Sequence, residues 1–220
     1  RDLHYPLRRQ RQMCIRDRYR RKSQMGKRSE FQRRDRDFYP TPEEALLPLL
    51  DHIENYFTFI EPCAGDGQLT TLLMKYKDCH CWLQSDIEPQ DSSVEKRNVL
   101  DIFAKPEYYI TNPPWERKLL HQIIEHLSDL APTWLLFDAD WIHTKQSQPY
   151  QSRLKKIVSV GRVKWIPDSK MTGKDNCSWY LFDKNNTQET VIVGNKRGLS
   201  GIFTEQHPIL QSMGQTRVYV

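Results

Sequence analysis

The chain has 220 residues, which is enough for one well-cored domain and too few for two large ones. No apolar run approaches the roughly 18 residues of a membrane span, and the charged N-terminus lacks the pattern of a signal peptide. The five cysteines are odd in number and none lies in a CxxC pair, which disfavours a zinc site and a disulfide framework. We therefore expect a soluble cytoplasmic protein without a membrane anchor or a metal.

The net charge of +5 comes from the N-terminal arm, residues 1–36, which holds 14 Lys and Arg against 4 Asp and Glu. Residues 37–220, the expected single domain, hold 19 against 24 and are mildly acidic. We expect the arm to be disordered, either as a solvated tail or as a nucleic-acid contact. The run Met13–Arg18 resembles a translated sequencing-adapter remnant, so residues 1–24 are expected to be non-native and Met25 to be the start.

The first helix is predicted after the segment Phe38–Pro42. Thr41 is a candidate N-cap, and Glu44, three residues later, would complete a capping box. The apolar spacing predicts that this helix continues to about Tyr56.

A glycine loop, Glu61-Pro62-Cys63-Ala64-Gly65-Asp66-Gly67, lies between a predicted strand at Phe57–Ile60 and a predicted helix from Gln68 to about Tyr76. This order is typical of a nucleotide-binding turn, in which glycines let the backbone approach a ligand closely. The loop is neither a GxGxxG fingerprint nor a P-loop. Because Glu61 would repel a phosphate, it suits a ligand with a positive amino group or with hydroxyls.

Two further acids follow in the chain. Asp86 ends a predicted strand at His80–Ser85, 21 residues after Gly65, a position that commonly binds ribose hydroxyls; the alternative is a helix cap. Asp101 lies in the short apolar segment Asn98–Phe103, which we predict as a strand edge.

The tetrapeptide Asn112-Pro113-Pro114-Trp115 follows a predicted strand at Tyr108–Ile110. Two prolines can continue neither a strand ladder nor a helix interior, so the chain must turn sharply and present Asn112 and Trp115 at the sheet edge. The alternative is a structural turn with a surface tryptophan. A helix at Glu116–Leu130 and a buried strand at Thr133–Phe137 are predicted next.

The C-terminal part of the predicted domain no longer alternates strands with helices. Gly161–Ile166 and Ser178–Phe182 are predicted to form an antiparallel hairpin. Together the elements predict an α/β, Rossmann-like fold with a mostly parallel sheet flanked by helices and a C-terminal antiparallel hairpin.

The segment Phe38–Pro42, the glycine loop, Asp86 and the Asn-Pro-Pro-Trp turn occur in an order that resembles class I methyltransferases, which use S-adenosylmethionine (SAM). Among these the chain is most similar to the adenine-N6 DNA methyltransferases of phage and prophage type, over residues 37–183. The resemblance implies a seven-stranded sheet with its last strand antiparallel. It also implies SAM as cofactor and double-stranded DNA as substrate, with the target base flipped out of the duplex.

The resemblance assigns roles to individual residues. The implied cofactor residues are Tyr39, Thr41, Pro42, Glu61, Pro62, Cys63, Ala64, Gly65, Gly67, Asp86, Ile87, Asp101 and Asn112. The implied catalytic loop is Asn112, Pro113, Pro114 and Trp115. Independently of the resemblance, loop residues that could face nucleic acid or simply be solvated are Trp141, Lys145, Arg162, Lys164, Lys170 and Lys174.

Several alternatives stay open at this point. Enzymes that methylate adenine or guanine of RNA, or glutamine side chains of proteins, use a similar Asn-Pro-Pro motif. A catalytically silent SAM- or nucleotide-binding module is the alternative from another class. Since little sequence is available for target recognition, we expect a monomer with a short or loosely specified target, or with a separate specificity partner.

Overall fold

The computed structural model describes residues 39–166, 173 and 175–195; the basic arm, Phe38, Lys170 and Lys174 lie outside the described residues. The described chain contains eight strands: β1 (Phe57–Glu61), β2 (Cys79–Asp86), β3 (Glu95–Lys96), β4 (Tyr108–Thr111), β5 (Thr133–Asp138), β6 (Leu154–Gly161), β7 (Cys177–Phe182) and β8 (Val191–Val193). They form one sheet in the order β3-β2-β1-β4-β5-β7-β6-β8.

Strand β7 runs antiparallel to both of its neighbours, β5 and β6, and the other strand pairs are parallel. The carboxyl ends of β1, β2, β4, β5 and β6 therefore meet at one edge of the sheet, where open α/β sheets bind ligands. This topology confirms the predicted Rossmann-like fold with a C-terminal antiparallel pair. The expected count of seven strands was wrong, because β8 adds a short strand parallel to β6.

The described helices are α1 (Glu43–Leu50), α2 (Gln68–Tyr76) and α3 (Arg117–Leu130), with 3₁₀ segments at Val99–Asp101, Ala139–His143 and Lys145–Arg153. Helix α3 follows the predicted pattern, since the apolar residues Leu120, Ile123, Ile124 and Leu127 are fully buried, while Leu119 is half-buried and lines the cleft described below. Among these helices and 3₁₀ segments, no helix combines the length and the apolar character needed to cross a membrane.

The sheet separates two apolar cores. Along β5, Trp134 and Leu136 pack into the core that includes α1 and α2, whereas Leu135 and Phe137 pack into the core that includes α3. Alternate side chains of a strand point to opposite faces, so a continuous apolar strand is buried on both sides. Burying one such side chain contributes roughly 1.5–3 kcal/mol to the free energy of unfolding.

The predicted capping box of the first helix was wrong. Pro42 is the N-cap and no side chain caps α1, which ends at Leu50 rather than near Tyr56. The Glu44 carboxylate instead accepts the Lys164 backbone N–H at 2.6 Å, and the Thr41 hydroxyl accepts a hydrogen bond from Asn112. The two side chains that the capping box required, those of Thr41 and Glu44, therefore bind residues distant in sequence instead.

Two predicted strands differ from the structure, one in its position and one in its type of secondary structure. The strand predicted at Gly161–Ile166 lies at Leu154–Gly161, where Gly161 has a φ of 86° and ends the ladder. The strand edge predicted at Asn98–Phe103 is instead a 3₁₀ turn, because the Asn98 side chain accepts the Leu100 N–H at 3.0 Å.

Candidate active site

A cleft of about 500 Å³ opens at the carboxyl edge of the sheet. It is lined by the segment before α1, the glycine loop, the ends of β2 and β4, and the first half of α3. The predicted site residues that it brings together are Tyr39, Thr41, Glu61, Pro62, Cys63, Ala64, Gly65, Asp86, Ile87, Asn112 and Pro114. Residues far apart in sequence thus meet where the topology places a ligand site.

The glycine loop forms the base of the cleft, and hydrogen bonds hold it to β2. The Gly65 N–H donates to Asp86 Oδ2 at 2.9 Å, and the Ala64 N–H donates to the Ser85 carbonyl at 2.8 Å. Gly67 has a φ of 78°, and a Cβ there would lie 3.0 Å from Oε1 of Gln84. The positive φ favours glycine at this position, whereas the Gln84 side chain is flexible and could move away from a Cβ.

Asp86 connects the loops that follow β1 and β2. Its Oδ2 accepts the Gly65 N–H at 2.9 Å, and its Oδ1 accepts the Glu88 N–H at 2.8 Å. A carboxylate has about four lone-pair positions, so each oxygen retains capacity for a ligand hydroxyl. The geometry supports a ligand role, and Asp86 does not cap a helix.

Glu61 is the most deeply buried acid of the cleft, with 1% of its surface exposed. Its Oε2 accepts both the Thr70 N–H at 2.9 Å and the Thr70 hydroxyl at 2.6 Å. Burial, with smaller contributions from the carboxylates of Asp66 and Asp86, raises the pKa of Glu61 to about 8. Because both hydrogen bonds reach Oε2, Oε1 is the atom that a ligand would meet.

The charge of the cleft has one sign. Among the residues that the structure describes, five carboxyl side chains and no Lys, Arg or His line it; the acids are Glu61, Asp66, Asp86, Glu88 and Glu116. Such a lining favours a cationic ligand and disfavours the phosphates of a nucleotide.

Asn112 follows β4 directly and is held at both ends of its amide. Its Nδ2 donates to Thr41 Oγ1 at 3.3 Å, and its Oδ1 accepts the Trp115 indole N–H at 3.4 Å. Glu116 then caps α3 by accepting the N–H groups of Lys118 at 3.0 Å and Leu119 at 2.8 Å. The turn is therefore fixed between the end of a central strand and a capped helix.

An aromatic cluster that the sequence did not predict lies beside this turn. Trp165, in the loop after β6, makes an edge-to-face contact with Trp115, with ring centroids 5.8 Å apart and an interplanar angle of 85°. The Tyr39 ring lies 6.5 Å from Trp165 on another side. Trp165 was predicted to lie inside a strand. The signal that could have indicated its place in this cluster is an aromatic residue in a loop that follows a strand at the ligand-binding edge.

Several predicted residues lie outside the cleft lining. Pro42 occupies the N-cap position of α1, and Gly67, the last residue of the glycine loop, occupies that of α2. Pro113 is buried in the turn, and Trp115 is half-buried against both cores. Asp101 is exposed and does not reach the cleft, because its segment folds as a 3₁₀ turn; its neighbours Asn98, Val99 and Leu100 line the cleft instead.

The predicted nucleic-acid contacts divide into three groups. Trp141 was wrongly predicted, since it is fully buried against Phe137 and donates its indole N–H to His121 Nε2 at 3.1 Å. Lys145 and Arg162 are exposed, and Lys164 is half-buried. Lys170 and Lys174 lie outside the described residues.

The described cysteines are free thiols, and burial raises the pKa values of Cys63, Cys79 and Cys81. Raised thiol pKa values disfavour a nucleophilic role. In the part of the chain that the structure describes, no group of three or more His, Cys, Asp or Glu side chains could hold a metal ion.

No protein-family model matches the sequence, and no curated protein matches it. A candidate RNA methyltransferase from Pyrococcus horikoshii is similar, with a TM-score of 0.46 and 16% identity, over 68% of this chain and 87% of that chain. The M protein of the type I restriction enzyme EcoKI is similar with a TM-score of 0.48 and 12% identity, over 68% and 44% of the two chains. Magnesium protoporphyrin IX methyltransferase from Synechocystis, solved with bound SAM, gives a TM-score of 0.42 and 11% identity, over 63% and 76%.

Proposed function

We propose that this chain transfers a methyl group from SAM to the exocyclic N6 amino group of adenine in DNA. The observation that carries the proposal is the position of the Asn-Pro-Pro-Trp turn, at the end of β4 and beside an acid-lined cleft. The ligand and the reaction are inferred from the chemistry of these residues.

The residues of the cleft fit SAM in size and in charge. A volume of about 500 Å³ is within the range of small-molecule sites. SAM carries a sulfonium and an ammonium group, and both suit a lining of five carboxyls. Glu61 Oε1 would face a cationic group, and Asp86 would accept the ribose hydroxyls.

The Asn-Pro-Pro-Trp turn suits transfer to an amino group that is conjugated with a ring. Such a nitrogen is a weak nucleophile because its lone pair is delocalised, and no base is needed before it attacks. The Asn112 side-chain oxygen and the Pro113 carbonyl would accept its two N–H groups, which favours a pyramidal nitrogen. SAM, when bound, would supply a methyl group from its sulfonium, which would leave as a neutral thioether, so the main task of these residues is alignment. The proton that the methylated nitrogen releases passes to solvent.

The aromatic cluster of Trp115, Trp165 and Tyr39 would bind the target base. Stacking on an aromatic side chain contributes roughly 1–3 kcal/mol per base. This gain offsets part of the cost of taking the base out of a duplex, which is a few kcal/mol. The described part of the chain offers two exposed basic residues for phosphate contacts, Arg162 directly after β6 and Lys145 in the segment between β5 and β6.

The proposal is tested by offering tritiated SAM with unmethylated DNA, RNA and protein in parallel. We expect label in DNA, in the N6 position of adenine. Label in RNA or on glutamine would change the assigned substrate but would leave the assignment as a SAM-dependent methyltransferase intact. SAM binding without transfer to any polymer would overturn the proposal in favour of a non-catalytic module. Asn185→Ala, an exposed asparagine beyond β7 at the opposite edge of the sheet, is the matched control for substitutions of Asn112.

A further inference from the structure

We propose that Thr41 is a positioning residue that fixes the orientation of the Asn112 amide. This inference rests on the proposed function. Thr41 lines the cleft, but its hydroxyl also accepts the Asn112 Nδ2–H at 3.3 Å. It therefore acts on the transfer step through Asn112 rather than through contact with the reacting atoms.

The orientation of this amide decides whether Asn112 favours or opposes binding of the substrate amino group. With Oδ1 toward the amino group of the substrate, Asn112 accepts a hydrogen bond. Rotated by half a turn, the amide would present its own N–H groups to the N–H groups of the substrate. The two faces of the amide are almost equal in shape, so only hydrogen-bond partners can distinguish them.

Two partners of different character make that distinction. The Trp115 indole N–H can only donate, so the amide end that faces it must be Oδ1. A hydroxyl can donate or accept, and here Thr41 Oγ1 accepts from the other end, Nδ2. The Trp115 indole, which can only donate, determines which end of the amide is Oδ1, and the Thr41 hydroxyl is the hydrogen-bond partner of Nδ2. When an incoming amino group takes over Oδ1, Thr41 remains as the partner that prevents rotation of the amide.

The structure holds Thr41 rigidly enough for this task. It lies between Pro40 and Pro42, which restrict the backbone on both sides, and only 5% of its surface is exposed. The following helix begins at once, since the Pro42 carbonyl accepts the Ala45 N–H at 2.8 Å.

Helix α1 is in turn attached to the loop after β6 and to strand β7. The Glu44 carboxylate accepts the Lys164 N–H at 2.6 Å, and the Ala45 carbonyl accepts the buried Trp179 indole N–H at 2.8 Å. Thr41 is thus placed by contacts that are independent of any ligand.

Thr41→Val tests the inference in the full chain, because valine keeps the branched shape and removes the hydroxyl. We expect kcat to fall about tenfold, the effect of losing one hydrogen bond that orients the transition state, with Kd for SAM within about threefold of wild type. Thr41→Ser, which restores the hydroxyl on a smaller side chain, should recover most of kcat.

A second measurement does not depend on turnover. In ¹⁵N-labelled protein, the Asn112 side-chain amide protons should exchange with solvent faster in Thr41→Val than in wild type or in Thr41→Ser. An unchanged kcat, an equal loss in both variants, or a loss confined to SAM affinity would overturn the positioning role. So would unchanged amide exchange. If the wild-type protein methylates no polymer, the proposed function fails, and the exchange rates still decide whether Thr41 orients Asn112.

Discussion

At the end of β1, Glu61 combines burial with an acidic neighbourhood. Its pKa is raised from 4.5 to about 8, chiefly by burial. The raised pKa favours the protonated form of Glu61 at neutral pH in the ligand-free protein. A cationic group placed beside its side chain would favour loss of that proton, because an opposite charge stabilises the carboxylate.

SAM affinity should rise between about pH 6 and about pH 8 and then level off, because the carboxylate attracts the cationic ligand more strongly than the protonated acid does. Titration calorimetry in buffers of different ionisation enthalpy should also detect proton release on binding. Glu61→Gln, which keeps the shape and does not titrate, should bind more weakly and lose this pH dependence. A wild-type affinity that is constant or falls over the range would contradict the assignment.

Folding should show the opposite dependence on pH. Between about pH 4.5 and about pH 8 the folded protein retains a proton on Glu61 that the unfolded chain has lost. The Glu61 contribution to the free energy of unfolding therefore decreases as pH rises through this window. Denaturant unfolding should show Glu61→Gln gaining stability relative to wild type across the same window. A stability difference that is independent of pH would show that Glu61 ionises normally.

At the scale of the elements, α1 and the loop after β6 form one side of the site together. The hydrogen bond from the Lys164 N–H to the Glu44 carboxylate places the neighbouring Trp165 between Tyr39 and Trp115. This loop follows β6 at the same sheet edge as the Asn-Pro-Pro-Trp turn. The proposed base-binding surface is therefore built from three separate elements.

Trp165→Leu should reduce kcat/KM for the nucleic acid by about tenfold or more, because it removes the ring that supports Trp115. SAM affinity should change little, since Trp165 does not line the cleft. Trp82→Leu is a matched control, because Trp82 is half-exposed on β2, outside the site. Equal kinetic effects of the two substitutions would show that the Trp165 effect is not local.

The sequence predicted the elements whose signals are local. Asp86 was predicted at a strand end and Asn112 directly after a strand, and both line the cleft because the carboxyl ends of parallel strands meet at one edge of the sheet. Thr41 and Glu44 satisfy the pattern of a capping box, yet partners 71 and 120 residues away use their side chains. Trp141 lies in a polar loop sequence, and only the folded chain shows that a 3₁₀ turn returns it to the core.

At the scale of the whole molecule, residues 37–220 are acidic, with 19 Lys and Arg against 24 Asp and Glu. On the proposed function, DNA would therefore be bound through local basic residues rather than through the net charge of the domain. Arg162 directly follows β6, which ends at the carboxyl edge of the sheet, and Lys145 is exposed in the segment between β5 and β6. Few phosphate contacts imply a shallow dependence of affinity on salt.

Replacing both Lys145 and Arg162 by alanine should weaken DNA binding at all sequences and reduce the salt slope by about 2, one for each lost phosphate contact. Lys105→Ala is the control, because this exposed lysine precedes β4 at the opposite edge of the sheet. Binding titrations over a range of salt concentrations measure both quantities. A slope that the double substitution leaves unchanged would place the DNA elsewhere.

The most direct test measures N6-methyladenine by mass spectrometry of digested DNA after incubation with SAM and either wild-type protein or Asn112→Ala. We predict N6-methyladenine with the wild type, and a loss of at least about a hundredfold with Asn112→Ala, because the acceptor that aligns the amino group is gone. Equilibrium binding should show that the variant still takes up SAM. N6-methyladenine formed equally by both proteins, or by neither, would contradict the role assigned to the Asn-Pro-Pro-Trp turn.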